Sequence, residues 1–130
     1  MELLEFKHNS GVIVLLDKWF SFNSSFALKI KKEFPENFKW CESLVKIKNI
    51  QIGDCFVFSE KNIFLINCVV KEYWWEPVKN ENVFSIKNKI KEILEKQPIN
   101  ELYISEEEFN YNTSIKLFLK ENLKIKINYK

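Results

Sequence analysis

The 130-residue chain contains no arginine; all twenty of its basic residues are lysines. Arginine's planar fork is the usual grip on phosphates and guanine edges, so its absence counts against a nucleic-acid binder. Glycine is nearly as scarce, with only Gly11 and Gly53. Two isolated glycines exclude a glycine-rich loop, which brings backbone N–H groups onto phosphates at φ > 0. The single histidine, His8, excludes a multi-histidine metal site, and neither a metal nor a cofactor is expected. No apolar run reaches the roughly 18 residues that cross a membrane. The N-terminus lacks the basic, apolar, small-residue order of a signal peptide. Cys41, Cys55 and Cys68 are odd in number and widely spaced. They read as small buried hydrophobes in a reducing compartment, not as a disulfide frame. A cytoplasmic protein with no membrane contact is the expectation.

What is present is a core. Apolar residues make up 46% of the chain and aromatics 15%, which excludes disorder. The length fits one domain spanning residues 1–130,. The net charge of +2 argues neither for nor against nucleic acid,. Leu3–Phe6 reads as a short strand, and Gly11–Leu16 as a strand covered on both faces,. Ser24 and Ser25 are N-cap candidates for a helix carrying Phe26, Ile30 and Phe34, which Pro35 ends,. A second short helix follows around Glu36–Val45. Asp54–Ser59 and Asn62–Val70 are β-branched and aromatic, with a short polar turn between them,. Asn80 or Asn82 is a cap candidate for a helix burying Val83, Ile86, Ile90, Ile93 and Leu94,. Leu102–Ser105 reads as a strand, Ser114–Glu121 as a helix and Leu123–Tyr129 as a last strand. The alternation predicts an α/β fold with a mainly parallel sheet.

Three segments carry a resemblance. They are Phe26-Ala-Leu-Lys-Ile-Lys-Lys-Glu-Phe-Pro-Glu-Asn-Phe38, Gly53-Asp-Cys-Phe-Val-Phe58, and Ile66-Asn-Cys-Val-Val-Lys-Glu-Tyr-Trp-Trp-Glu-Pro77. In order and spacing they resemble the macro domain family, in particular antitoxins that remove ADP-ribose from modified DNA. The resemblance implies a three-layer α/β/α domain with a mixed, mostly parallel sheet of five or six strands. The family's first strand is expected to be missing, since Met1-Glu2 falls where the family has a Gly-Asp pair.

The resemblance also places a ligand site. The family's Asn-x-x-Asn pair falls on Val14 and Asp17, and its Gly-x-x-Met-Gly-Lys-Gly loop on Phe20–Ser25, where no glycine remains. Its second phosphate loop falls on Ser105–Thr113, which has no glycine and carries Glu106, Glu107 and Glu108. Such carboxylates repel a diphosphate by about a kcal/mol or more in a partly buried site. The family's Thr-Lys-x-His-Trp falls on Val70-Lys-Glu-Tyr-Trp74, keeping Lys71 and Trp74. Glu2, Asn23, Ser24 and Ser25 are the implied ligand contacts, and Asp17 and Lys71 the implied catalytic pair.

Three functions follow. The first is a binding protein with worn phosphate loops, acting on a protein partner or an atypical nucleotide unlike ADP-ribose, with an ADP-ribose-like ligand kept open beside these. In that role exposed Phe20, Phe22, Tyr73, Trp74 and Trp75 form the partner surface. A mobile-element inhibitor of host defence is one setting for such a protein. The second is an ADP-ribosyl hydrolase using Asp17 and Lys71. The third is a single-stranded nucleic-acid binder that stacks bases on Tyr73–Trp75; the missing arginine counts against it. Free ADP-ribose is expected to bind worse than millimolar.

Overall fold

The structure is a computed structural model that describes residues 6–105 and the backbone of 126–129. The strand expected over Leu3–Phe6 lies outside these residues apart from Phe6, as does the helix over Ser114–Glu121.

The apolar run forms β1, Ser10–Asp17, buried at every position. Alternate residues feed opposite faces of the sheet. Val12, Val14 and Leu16 pack on one side with Phe26, Ile30 and Leu44, and Ile13 and Leu15 on the other with Ile86 and Ile90. Helix α1, Ser25–Glu33, starts because Ser24 caps it: its Oγ accepts from the Ala27 N–H at 3.1 Å. It stops at Phe34, whose φ of −125° leaves the helix. Pro35 cannot donate to the previous turn, but its fixed φ suits a first helical residue. It opens α2, Pro35–Ile47. Strands β2, Cys55–Glu60, and β3, Ile63–Lys71, form an antiparallel hairpin. Its turn residues Lys61 and Asn62 both have positive φ, 53° and 63°, the geometry that matches strand twist in a two-residue hairpin.

Helix α3, Asn80–Lys96, covers the second face. The capping expectation for Asn80 and Asn82 fails. The N-cap is Lys79, with no side-chain cap, and Asn80 is already helical. The Lys79 carbonyl instead accepts from the N–H groups of Asn82 and Val83 at 3.0 and 3.2 Å. Burial of Val83, Ile86 and Ile90 sets where the helix begins, and this outweighs a cap effect of about 1 kcal/mol. Ile93 is only half-buried.

Strand β4, Glu101–Ile104, pairs with β1, and β5, Lys126–Tyr129, pairs with β4. The sheet order is β2-β3-β1-β4-β5. All pairings are parallel except β2–β3. With α1 and α2 on one face and α3 on the other, the architecture is the expected three-layer α/β/α. Among the described residues no helix is long and apolar enough to cross a membrane.

Candidate functional site

Parallel strands release their chain at one end of the sheet, and ligand clefts of open α/β sheets lie there. β1 and β3 finish side by side: Asp17 is in register with Lys71, after an irregularity between Leu16 and Asp17. A cleft of about 380 Å³ opens above them. Its floor is Leu15, Leu16 and Ala27. Its polar and aromatic walls are Asp17, Asn23, Ser24, Lys71, Trp74 and Trp75. Six residues singled out in the sequence thus meet in one hollow. Ser25 is the first residue of α1 and does not line the cleft. Glu2 and Glu106–Glu108 lie outside the described residues.

Asp17 is buried, and its carboxylate accepts three hydrogen bonds. Oδ1 accepts from the Ser21 N–H at 3.0 Å, and Oδ2 from the Trp19 N–H at 3.2 Å and the Ser21 Oγ–H at 2.9 Å. It holds the turn that leaves β1. The sequence reading missed Ser21; its signal is a hydroxyl four residues after an aspartate at a strand end. Lys71 also has a local partner, donating from Nζ to the Trp74 carbonyl at 3.0 Å. That bond folds the loop after β3 back on itself. The loop is closed further by Tyr73 N–H to Glu76 Oε1, 2.7 Å, and Glu76 N–H to the Tyr73 carbonyl, 3.1 Å.

The five aromatic residues expected at a partner surface divide into two groups. Tyr73, Trp74 and Trp75 are 37%, 49% and 63% exposed. Tyr73 stacks on Trp75 with centroids 4.7 Å apart, and Trp74 meets Trp75 edge-on at 5.7 Å. Phe20 and Phe22 are buried, which corrects the expectation that they are exposed. Phe20 packs edge-on against Phe56 and Phe22 edge-on against Phe38. The physical reason is area: two large apolar rings gain more from the α1–α2 layer than from water.

The backbone under those rings matters more. Phe20 and Phe22 have φ of 49° and 50°. This is the left-handed region in which glycine is at ease and a side chain is strained. The loop therefore takes a glycine-like path without glycine. At its end the first turn of α1 presents N–H groups beyond the Ser24 cap, a place where anions are favoured.

No family profile matches the sequence, and no curated protein matches it. Solved structures do. The macrodomain of Thermus aquaticus DarG superposes with a TM-score of 0.78 at 18% identity, covering 99% of this chain and 93% of that one. The chain has the macrodomain fold. The macrodomain of Mycobacterium tuberculosis DarG gives 0.80 at 15% identity, over 99% of this chain and 92% of that one. Thermosipho africanus DarTG, solved in complex with ADP-ribose, gives 0.74 at 15% identity, over 92% of this chain and 37% of that one. Identities this low speak for the fold alone.

Proposed function

We propose that this macrodomain-fold chain is a binding protein for an ADP-ribose-like nucleotide, seated between the β1–α1 and β3–α3 loops. The observation that carries the reading is the cleft of about 380 Å³. It gathers an amide, a hydroxyl, an ammonium and two indoles over an apolar floor. Asn23 and Ser24 supply polar contacts beside the helix start, and the indoles of Trp74 and Trp75 supply flat faces for a base or ribose,. The glycine-like path of Phe20 and Phe22 removes one argument against an anionic ligand. The ADP-ribose held by the Thermosipho africanus relative makes that nucleotide the first probe.

Binding is favoured over hydrolysis because the implied base, Asp17, is committed to holding its own turn. The Asp17 carboxylate accepts from three donors of its own turn, whereas the Lys71 ammonium uses one donor on the Trp74 carbonyl and keeps two for a ligand,. A general base needs an open hydrogen-bonding position toward the reacting proton.

Calorimetric titration with ADP-ribose tests the reading. The positive φ of Phe20 and Phe22 replaces the worse-than-millimolar expectation drawn from the missing glycines with a dissociation constant below about 1 mM, weakened roughly tenfold or more in Trp74→Ala and Lys71→Ala, a loss of about 1.4 kcal/mol. Absence of heat at several millimolar ligand sinks it. Lys71-dependent release of ADP-ribose from a modified macromolecule would instead establish the hydrolase. The exposed rings of Tyr73, Trp74 and Trp75 support a second reading, in which they seat on a protein partner,. In that case Trp75→Ala abolishes partner capture while ADP-ribose gives no heat with either protein.

A further inference from the structure

Cys55 and Cys68 face each other across the β2–β3 ladder, with their sulfurs 3.2 Å apart. Val69 donates its N–H to the Asp54 carbonyl and accepts from the Gly53 N–H. The neighbouring Cys55–Cys68 pair therefore occupies a non-hydrogen-bonded position, where opposed Cα atoms come within about 4.5 Å. That lies inside the window of about 4.4–6.8 Å that a disulfide spans. Both side chains enter the layer under α3: Cys68 is fully buried there and Cys55 half-buried at its margin. Bringing the sulfurs to a bond of about 2.05 Å takes a side-chain shift of about an ångström, with no new backbone path.

We propose that Cys55 and Cys68 form a dithiol modification site, which a low-molecular-weight disulfide such as oxidised glutathione converts into an intramolecular disulfide. Cys55, the more accessible thiol, loses its proton to solvent. Its thiolate attacks one sulfur of the oxidised glutathione. One glutathione thiolate leaves, and a mixed disulfide remains on Cys55. Cys68 then loses its proton, its thiolate attacks Cys55 Sγ, forms the strand-to-strand bond and expels the second glutathione thiolate, and the two protons released by Cys55 and Cys68 end on the two glutathione thiolates. Two protein thiols are oxidised, and one glutathione disulfide is reduced to two thiols. Burial, reinforced by the Cys55 thiol beside it, pushes the Cys68 thiol above its ordinary pKa. The closing step therefore quickens as pH rises. Cys41 sits in the opposite core layer, its thiol pushed up to about 12 by burial, and it stays reduced.

The site bears on the cleft through β3. The strand runs on from Cys68 to Lys71 at the cleft wall. The cross-link ties it to β2, the outer strand of the sheet. The loop closed by residues 55–68 restricts the unfolded chain, so oxidation raises the thermal midpoint.

The test uses the full chain with oxidised glutathione, thiol counting after denaturation, and peptide mass mapping. The expected count falls from three free thiols to one, with the mapped bond joining Cys55 to Cys68. The thermal midpoint rises by several degrees, and dithiothreitol reverses both changes. Cys41→Ser behaves as the wild type, and Cys68→Ser stops at a stable glutathione adduct on Cys55. Three surviving thiols, a mapped bond that includes Cys41, or no adduct in Cys68→Ser each overturn the proposal. Mapping the wild type decides the matter even where a serine variant folds poorly.

Discussion

Phe22 carries two opposed effects that substitution can separate. Its ring is fully buried against Phe38, while its backbone sits at φ 50°. Phe22→Ala removes the ring and keeps a Cβ; the loss should be about 3–5 kcal/mol. Phe22→Gly removes the same ring and also lifts the left-handed penalty of about 1–2 kcal/mol. Glycine loosens the unfolded chain by about 0.5–1 kcal/mol in return. The difference leaves Phe22→Gly more stable than Phe22→Ala by about 0.5–1 kcal/mol. Urea midpoints of the two variants, compared at equal slope, measure it. Phe84 supplies the control, because it lies in α3 with its side chain exposed. There the order should invert, with glycine worse than alanine by about 1 kcal/mol. If glycine is the worse residue at both positions, the strained path of this loop is refuted.

Ile90 lies on the buried face of α3. Ile90→Asp places an unpaired charge in the core and should cost several kcal/mol; an unchanged thermal midpoint would contradict the packing described for α3. Asp54 gives a pH signature. Partial burial alone would raise its carboxyl pKa. The hydrogen bonds from Lys89 Nζ at 2.9 Å and Gln51 N–H at 2.8 Å outweigh that and hold it below the ordinary value. A depressed carboxylate contributes stability above its unfolded pKa of about 4 and loses it as pH falls further. The pair is half-exposed, so the contribution is under about 1 kcal/mol,. Unfolding midpoints followed downward in pH should fall less steeply in Asp54→Asn than in the wild type, and equal slopes would refute the assignment.

How far the sequence could be read depends on whether a feature is local. β1 was legible because a strand covered on both faces must be apolar throughout, and α1 because a serine cap precedes Phe26 and Ile30 at helical spacing. Pro35 marked a boundary correctly, although it begins a helix as well as ending one. The start of α3 was misplaced because asparagine capping is a weak local preference and burial of Val83 a stronger distant one. The exposure of Phe20 and Phe22 was misjudged for the same reason, and the missing glycines could not reveal that both residues take positive φ. Phe56 and Phe38 bury those rings, and only those tertiary contacts can hold a strained φ. Asp17 and Lys71 end adjacent strands and line one cleft. That each already has a bonding partner was invisible, since it depends on how two loops turn back.

The strand order also constrains how the chain assembles. β1 begins at Ser10, yet the partners that flank it begin at Ile63 and Glu101. Among the described strands the central one is thus the first to be synthesised and among the last to be enclosed. Until β3 arrives, the run Gly11–Leu16 has unsatisfied edges on both sides and invites pairing with another chain. The β2–β3 hairpin, closed by the Lys61–Asn62 turn, needs only contacts near in sequence. It is therefore the natural nucleus, with β1 docking afterwards against the slow closure of a long loop. Pulse-labelled hydrogen exchange during refolding should protect Phe58 and Leu65, an opposed pair of the hairpin, before Val12 and Val14; simultaneous protection would contradict this order.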